Sequence, residues 1–199
     1  MGSSTGKRSQ VFVVTGPSGA GKGTLIKGLL PRFPELEVAV SATTRPRRPG
    51  ERDGVDYWFL ADEEFARRVE RREFLEWVEY VSGHRYGTLR SEIERIGARG
   101  HSCLLELETE GALSVRDTVA GAVTIFVTAP VEELERRLRE RATESSGEIG
   151  ERIELARSQL EQRDQFDYVV ANDDVDRAVE ELAEIVGRKL GAAATMGRP

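Results

Sequence analysis

The feature that most constrains this chain is a glycine-rich loop between an apolar run and a helical pattern. Residues 11–14 have the composition of a buried strand, and residues 22–30 carry apolar side chains at helical spacing. The loop between them reads Gly16-Pro17-Ser18-Gly19-Ala20-Gly21-Lys22-Gly23-Thr24. A strand, a glycine loop and a helix in this order are typical of a phosphate-binding loop.

The chemistry of the loop suits a nucleoside triphosphate. Glycines let successive backbone N–H groups turn inward around an anion, the next helix presents the positive end of its dipole, and Lys22 adds a mobile ammonium group. The alternative is an ordinary tight turn. Such loops usually place Ser or Thr directly after the lysine to hold Mg²⁺, whereas here Gly23 follows and the hydroxyl comes at Thr24. We therefore expect no direct metal ligand from this loop.

Composition limits the classes of function. The chain has 199 residues, of which 39% are hydrophobic, enough for one core with small inserted subdomains. Its formal net charge of -6 argues against a nucleic acid or a membrane surface as partner. Cys103, the single cysteine, is expected to be a buried, inert thiol. Residues 1–10 resemble neither a secretion signal nor a membrane span, so we expect a cytoplasmic protein with disordered tails at 1–10 and 191–199.

Short apolar runs alternate with helical patterns, which predicts an α/β fold with a central parallel sheet. The predicted strands are residues 11–14, 38–40, 103–107, 123–127 and 168–171. The predicted helices are residues 22–30, 62–71, 88–98, 131–141, 150–162 and 175–190. Asp62 and Asp174 are candidate N-caps. Residues 42–57 and 136–150 depart from the average composition, and we expect both to be mobile excursions from the sheet.

The first excursion carries arginines between prolines. Arg45, Arg47 and Arg48 lie beside Pro46 and Pro49. Prolines limit collapse of the loop, so the guanidinium groups can stay extended and hold a small phosphate bidentately. A solvated basic turn is an equally good interpretation of this segment alone. Beside a triphosphate loop, a second phosphate clamp suggests transfer between two phosphorylated molecules.

Several short motifs in order along the chain resemble guanylate kinases, which transfer the terminal phosphoryl group of ATP to GMP. They are Gly-Pro-Ser-Gly at 16–19, Ser-Ala-Thr-Thr-Arg at 41–45, Gly-Val-Asp-Tyr at 54–57, Glu-Phe-Leu-Glu-Trp at 73–77, Tyr-Gly-Thr at 86–88 and Asn-Asp-Asp at 172–174. The resemblance extends over residues 11–186. It implies a P-loop NTPase-type three-layer fold with a core in residues 11–40, 100–130 and 155–190, a GMP-binding subdomain in 41–99 and a lid in 131–154.

For the acceptor site, the resemblance implies that one group of side chains holds the GMP phosphate and another contacts the base. The phosphate group is Arg45, Arg48, Tyr57 and Tyr86, and the base group is Ser41, Glu76, Thr88 and Glu108. Guanine offers two adjacent donors beside an acceptor, so a carboxylate and a hydroxyl match it, while adenine lacks that donor pair. Glu76 is our candidate carboxylate. A solvated helix glutamate is the alternative.

Glu106 and Glu108 stand two apart after an apolar run, which predicts both carboxylates on one face of a strand near its carboxyl end. Two acids there can orient hydrated Mg²⁺ and meet the acceptor nucleotide, so we include both in the acceptor site, with metal contact only through water. The resembling family usually has aspartate at the second position. A solvated strand end is the alternative.

For the donor site, the resemblance implies that Arg137, Arg141 and Arg152 close over the ATP phosphates and that Asn172 lies beside adenine. Lys22 and Arg45 complete the expected catalytic set, and residues 16–24 complete the expected ATP site. The alternative for the arginines of residues 132–141 is a charged surface helix, since acidic residues precede them at helical spacing.

The sequence thus predicts an enzyme that uses Mg²⁺ and ATP to phosphorylate GMP or dGMP, as a monomer or homodimer. Three alternatives stay open. A ribose 1,5-bisphosphate phosphokinase is expected to lack the combination of Ser41, Glu76, Tyr86 and Thr88. An adenylate kinase would match Gly23-Thr24 but not the arginine loop. A noncatalytic guanylate-kinase-like module that binds peptides typically loses the glycine loop and its lysine, and both are present here.

Overall fold

The computed structural model describes residues 9–80, 83–141 and 146–196, without the side chains of 141, 146–149 and 192–196. The strands are β1 (Val11–Thr15), β2 (Leu36–Val38), β3 (Ala42–Thr43), β4 (Trp58–Phe59), β5 (Phe74–Glu79), β6 (Arg85–Leu89), β7 (Ser102–Glu106), β8 (Val123–Thr128) and β9 (Tyr168–Ala171). The helices are α1 (Lys22–Leu29), α2 (Asp62–Glu70), α3 (Arg90–Ala98), α4 (Thr109–Thr118), α5 (Val131–Arg141), α6 (Ser146–Glu161) and α7 (Val175–Met196).

A parallel sheet lies at the centre of the molecule, in the order β2-β7-β1-β8-β9. Strand β1 pairs with β7 on one side, where Val13 opposes Leu105, and with β8 on the other, where Val14 opposes Ile125. All strand pairings of this central sheet are parallel. The loops that follow β1 and β7 therefore meet at the same edge, where ligands bind in open α/β sheets. The predicted α/β fold is confirmed.

Both faces of this sheet are covered by helices. Alternate residues of β1 point to opposite faces, so Phe12 packs with buried residues of α1 and α7, while Val13 packs with Ile96 of α3 and Val115 of α4. These side chains are buried. Cys103 lies in the second cluster, and burial raises the pKa of its thiol to about 12, as expected for an inert residue.

A second sheet, in the order β4-β3-β6-β5, lies within residues 41–99. Its β6 strand pairs antiparallel with both β3 and β5. Helix α2 covers one face, where Phe65 stacks on Phe74 with ring centroids 4.3 Å apart. Strand β5 also contacts α4 of the core. The second sheet therefore packs against the core through β5 and α4.

The second sheet and helix α4 account for most differences between the observed elements and those predicted from the sequence. Thr88 lies in β6, not at the start of a helix, because β6 completes a ladder with β5. Strand β5 and helix α4 were not predicted. The β2 strand ends at Val38, two residues before Val40, because the backbone N–H of Val40 donates to Glu92 instead of a strand.

The two predicted caps have different outcomes. Asp174 caps α7, since its Oδ1 accepts the backbone N–H of Arg177 at 2.9 Å. Asp62 is wrong as a cap: Ala61 occupies the N-cap position, and Asp62 is the first helical residue, paired with Arg85 at 2.8 Å. The acidic side chain there still complements the helix dipole.

The last helix continues to Met196, past residue 190, where the sequence predicts its end. Alanines at 192–194 favour helix strongly enough to extend it through Gly191, so a disordered tail from residue 191 is wrong for this stretch. Of the predicted tails, residues 1–8 and 197–199 lie outside the described residues. Within the described ranges, no helix is both long and apolar enough to cross a membrane.

Candidate active site

The glycine loop joins β1 to α1 at the edge of the central sheet. Gly16 has φ +134, and a Cβ there would lie 2.1 Å from the carbonyl oxygen of Val127, so no other residue fits. Gly19 and Gly21 both have φ +88. These left-handed positions turn the backbone around the N-terminus of α1, as a loop that binds phosphate requires.

Lys22 begins α1, and its ammonium group reaches back across the loop. Its Nζ donates to the carbonyl oxygen of Gly16 at 2.6 Å and lies 3.4 Å from that of Pro17. The side chain is only half-buried. The positive charge is thus held over the turn by backbone oxygens that a phosphate group can replace. Thr24, two residues further along α1, is exposed.

One arginine from each of helices α5 and α6 contacts the glycine loop. Arg137 of α5 donates to the carbonyl oxygen of Gly19 at 3.1 Å and is fixed by Glu133 at 2.7 Å. Arg152 of α6 donates to the hydroxyl of Ser18 at 3.1 Å. The side chain of Arg141, the third predicted arginine, lies outside the described residues. The structure therefore brings two of the three to the loop.

Asn172 supports the loop from below. It follows β9, is 1% exposed, and its Nδ2 donates to the carbonyl oxygen of Ala20 at 2.6 Å. A Cβ on Gly21 would meet that same Nδ2 at 2.3 Å. Among the described residues, its Oδ1 has no hydrogen-bond partner. Asn172 thus holds the loop with its amide nitrogen and leaves a buried acceptor beside it.

Glu76 projects from β5 and is buried, with 7% of its surface exposed. Its Oε2 lies against α4, because a Cβ on Gly111 would meet it at 2.6 Å. Thr88 stands opposite on β6 and is 1% exposed. In the described part of the chain, neither Glu76 Oε1 nor Thr88 Oγ1 has a hydrogen-bond partner. Burial raises the pKa of Glu76, and the nearby hydroxyl and backbone N–H of Thr88 oppose that shift.

The exposure of Glu76 decides between its two sequence interpretations. A solvated glutamate is wrong, because the side chain is buried between the second sheet and α4. Buried polar groups are normally paired. Leaving an ordinary polar group unpaired costs about 1–3 kcal/mol, and leaving a carboxylate unpaired costs more. An unpartnered carboxylate oxygen and an unpartnered hydroxyl on neighbouring strands indicate a place for a ligand that offers both donors and an acceptor.

Arg45 follows β3 and is held on several sides. The guanidinium group of Arg45 pairs with the Glu51 carboxylate: Nη2 lies 2.7 Å from Oε1, and Nη1 lies 3.1 Å from Oε2. Its Cζ lies 5.5 Å from the ring centroid of Tyr57 and 5.7 Å from that of Phe59. The hydrogen bond to Glu51 raises the pKa of Arg45 and lowers that of Glu51. The predicted phosphate clamp is therefore a fixed cation.

Tyrosines line the space beside this arginine. Tyr86 lies between Tyr57 and Tyr80, with ring centroids at 6.0 and 5.2 Å respectively. Burial raises the pKa of Tyr57. Arg48 is exposed, and its backbone N–H donates to Glu51 at 2.7 Å. The structure thus brings Arg45, Tyr57 and Tyr86 together and leaves the Arg48 guanidinium in solvent.

The two acids after the apolar run lie on different elements. Glu106 ends β7, whereas Glu108 takes the N-cap position of α4, so a strand carrying both is wrong. Leu107 donates to the carbonyl oxygen of Val14 and then the chain turns into the helix. Glu106 is exposed at the end of the strand, yet desolvation by the surrounding protein raises its pKa, and nearby Lys22 opposes that shift. The Glu106 oxygens lie 3.8 and 3.9 Å from where a Gly23 Cβ would stand.

Three residues that the sequence did not single out belong to these surroundings. Glu51 fills the fork of Arg45, and Gln159 of α6 donates to Glu108 Oε2 at 3.3 Å. Tyr80 is partly exposed, and desolvation of its hydroxyl together with the Glu108 carboxylate raises its pKa. No local pattern marks them, because each acts through a partner distant in the sequence or across a turn. Ser41, by contrast, was predicted, and its carbonyl oxygen accepts the N–H of Trp58 at 2.9 Å.

Comparison with known proteins identifies the family of this chain. The family model for guanylate kinase matches residues 8–189. The chain is 49% identical over 183 residues to a guanylate kinase from Rubrobacter xylanophilus, covering 92% of this chain and 95% of that one. A guanylate kinase from Synechococcus sp. (strain JA-3-3Ab) is 46% identical over 180 residues, 90% of this chain and 82% of the relative.

A solved structure of a guanylate kinase is also similar to this chain. The crystal structure of guanylate kinase from Anaplasma phagocytophilum superimposes with a TM-score of 0.73 and 27% identity, covering 92% of this chain and 87% of that chain. The matched residues include the glycine loop, the second sheet and the helices above the loop. The chain belongs to the guanylate kinase family.

Proposed function

We propose that the protein transfers the γ-phosphoryl group of ATP to GMP or dGMP, giving ADP and GDP or dGDP. The observation that carries this proposal is a pair of buried polar atoms on the second sheet, Glu76 Oε1 and Thr88 Oγ1, which have no hydrogen-bond partner among the described residues. Family membership supports it, since the relatives of this chain are guanylate kinases.

Guanine, the base of the acceptor nucleotide, is complementary to Glu76 and Thr88 in its hydrogen-bonding groups. Guanine carries N1–H and an N2 amino group side by side, and one carboxylate can accept from both. The Thr88 hydroxyl can donate to O6. Adenine offers no such donor pair, so binding it would leave Glu76 buried and unpaired. Ser41 and Glu108 complete the proposed base site.

The acceptor phosphate would lie against the arginine loop. Arg45, Arg48, Tyr57 and Tyr86 form its proposed site, with the fixed Arg45 guanidinium as the main charge. On the donor side, residues 16–24 would hold the ATP phosphates, and Arg137, Arg141 and Arg152 would close over them. Asn172 would orient the loop and offer Oδ1 to adenine.

The residues present also fit Mg²⁺ held through water. Gly23 supplies no hydroxyl, but the Glu106 carboxylate lies close beside it and Glu108 follows. Bound Mg²⁺ would supply positive charge between the donor phosphates. Among the described residues, no group of three or more acidic, histidine or cysteine side chains could hold a metal ion directly.

Transfer needs positioning and charge neutralisation more than a base. A phosphate monoester oxygen is already ionised near neutral pH, so it can attack the γ-phosphorus in line while the bond to the β,γ-bridging oxygen breaks. Lys22, Arg45 and the arginines of α5 and α6 would stabilise the charge that spreads over the transferred group. Closure of the arginine loop and the lid would exclude water, which would otherwise hydrolyse ATP.

We further propose that residues 41–99 move as a GMP-binding subdomain and residues 131–154 as a lid on the core of 11–40, 100–130 and 155–190. The reaction would take place in the cytoplasm, where nucleotides are plentiful, in purine nucleotide metabolism. Its partners would be the small-molecule substrates ATP and GMP, with no nucleic-acid or membrane partner, and the protein would act as a monomer or homodimer.

Measurement of ADP release with ATP and Mg²⁺ plus each of GMP, dGMP, AMP, CMP and UMP tests the proposal. We expect GMP and dGMP to be phosphorylated and the other three to react far more slowly. Rates that are equal across the five nucleotides would contradict the assignment of Glu76. Ribose 1,5-bisphosphate as an additional acceptor tests the alternative small-phosphate kinase, and the intact glycine loop argues against a noncatalytic module.

A further inference from the structure

One carboxylate of the arginine loop has no role in the proposed reaction as described so far. Glu51 accepts the fork of Arg45 through both oxygens, at 2.7 and 3.1 Å. Its Oε2 also accepts the backbone N–H of Arg48 at 2.7 Å. A single carboxylate thus ties the head group of one proposed phosphate ligand to the backbone of another.

These contacts use one end of the Arg45 guanidinium. The group has five N–H donors in a planar fork. Nη1 donates to Glu51 and to the carbonyl oxygen of Pro46 at 2.7 Å, and Nη2 donates once to Glu51. The remaining N–H groups, on Nε and Nη2, share one edge of the plane. Within the described residues that edge has no carboxylate or carbonyl partner, although the Tyr86 hydroxyl interacts with the Arg45 guanidinium. Two donors on one edge match two oxygens of a phosphate.

The surroundings fix the plane of this guanidinium. The rings of Tyr57 and Phe59 both lie within 6 Å of its Cζ, at 5.5 and 5.7 Å. The side chain of Arg45 is 10% exposed and that of Glu51 is 20% exposed. Because the pair is shielded from water, its geometry is held more firmly than that of a surface ion pair.

We propose that Glu51 is a positioning residue, which holds Arg45 so that its open edge faces the phosphate of the acceptor nucleotide. The inference rests on the proposed function, because it concerns the phosphate of GMP. Glu51 and the phosphate do not compete, since the carboxylate takes the Nη1–Nη2 end and the phosphate takes the Nε–Nη2 edge. The carboxylate also offsets repulsion among the arginines of the loop before the nucleotide arrives.

Steady-state kinetics of Glu51→Gln in the full chain test this role. Because the amide cannot hold both nitrogens of the fork as an anion does, we expect the KM for GMP to rise about tenfold. The KM for ATP should change by less than about twofold. Guanosine lacks the phosphate, so its inhibition constant against GMP should not change. Glu51→Asp should recover part of the GMP affinity.

Asp56→Asn is the matched control. Asp56 lies in the same loop and accepts the backbone N–H of Arg52 at 2.7 Å, but it makes no hydrogen bond to Arg45 among the described residues. We expect its KM for GMP to stay near that of the unaltered protein.

The outcomes separate this proposal from the function it rests on. A lower KM for GMP in Glu51→Gln would show competition and overturn the positioning role. Equal losses of GMP and guanosine, or an equal loss in Asp56→Asn, would show a general effect on the loop and overturn it too. If the unaltered protein fails to phosphorylate GMP, the proposed function fails. If that protein is active and Glu51→Gln keeps its KM, only the Glu51 proposal fails.

Discussion

The donor and acceptor sides of the site are built by different means. On the donor side, the cations and the amide of Asn172 are already bonded to the glycine loop: Lys22 to the carbonyl of Gly16, Arg137 to that of Gly19 and Asn172 to that of Ala20. On the acceptor side, Glu76 and Thr88 are buried with oxygens that no described residue satisfies.

The difference separates affinity for phosphate from recognition of a base. A loop of backbone donors and mobile cations attracts any polyphosphate and reads little of the nucleoside attached to it. A buried carboxylate rejects every base that leaves it unpaired. Changes on the donor side should therefore reduce turnover for all acceptors, and changes on the acceptor side should alter the choice among them.

The largest effect is expected from Lys22→Ala. Its ammonium is the charge nearest the proposed outer phosphates, and the loss of one such group typically costs about a hundredfold or more in turnover. We expect kcat to fall by at least that factor with every acceptor, while circular dichroism and the thermal midpoint stay near those of the unaltered protein. The measurement is ADP release under saturating ATP and GMP.

Lys27→Ala serves as the control for this prediction. Lys27 lies on the same helix α1, is exposed and stands in its last turn. Its removal changes the net charge equally but should leave kcat within about twofold. A near-normal rate for Lys22→Ala, or an equal loss in Lys27→Ala, would contradict the assignment of the glycine loop as donor site.

On the acceptor side, Glu76→Gln should reduce the preference for GMP over AMP. A charge-assisted hydrogen bond is worth about 1.5–3 kcal/mol, so the ratio of kcat/KM values should fall roughly tenfold to a hundredfold. The KM for ATP should hardly change, because Glu76 lies on the second sheet. Competition between GMP and AMP in one assay measures this ratio directly.

Glu79→Gln is the matched control, since Glu79 lies on the same strand β5 but is exposed. It should keep the preference of the unaltered protein. A Glu76→Gln variant that still favours GMP as strongly would remove the base-recognition role of the buried carboxylate and, with it, the contrast between the two sides.

The same contrast explains what the sequence could predict. The donor loop depends on local conformation, and its glycines, lysine and flanking patterns are contiguous, so strand, loop and helix were predicted correctly. The parallel sheet followed from the alternation of apolar runs and helices. Local patterns were enough wherever the chain folds on its immediate neighbours.

The second sheet could not be predicted in this way. Strand β6 contains Arg85 and Gly87 and forms only because β3 and β5 flank it. Helix α4 contains Gly111 and ends in Thr118, which are poor helix formers, so its helical state depends on packing against the sheet. The burial of Glu76 and the contact of Glu51 with Arg45 arise from these tertiary arrangements. Resemblance to a family pointed to Glu76; it did not point to Glu51.

A smaller effect is expected from Asn172→Ala, which tests a side-chain support of the donor side. Loss of the hydrogen bond to Ala20 would loosen the glycine loop at a cost of about 1 kcal/mol, equivalent to a severalfold higher KM for ATP. The preference for GMP over AMP should stay constant. A changed base preference with an unchanged KM for ATP would show that Asn172 acts on the acceptor side instead.

The smallest expected effect concerns stability and pH. Burial raises the pKa of Glu76 above the ordinary value of about 4.3, so the folded protein holds this proton more tightly than the unfolded chain does. The stability that protonation contributes is complete below the unfolded pKa and is lost as pH rises through the folded pKa.

Glu76→Gln has no such proton to lose. Its free energy of unfolding relative to the unaltered protein should therefore increase between pH 4 and pH 7 in urea titrations. A difference that stays constant with pH, or that shrinks as pH rises, would show that the carboxylate is already satisfied without a nucleotide, and the acceptor side would then resemble the donor side.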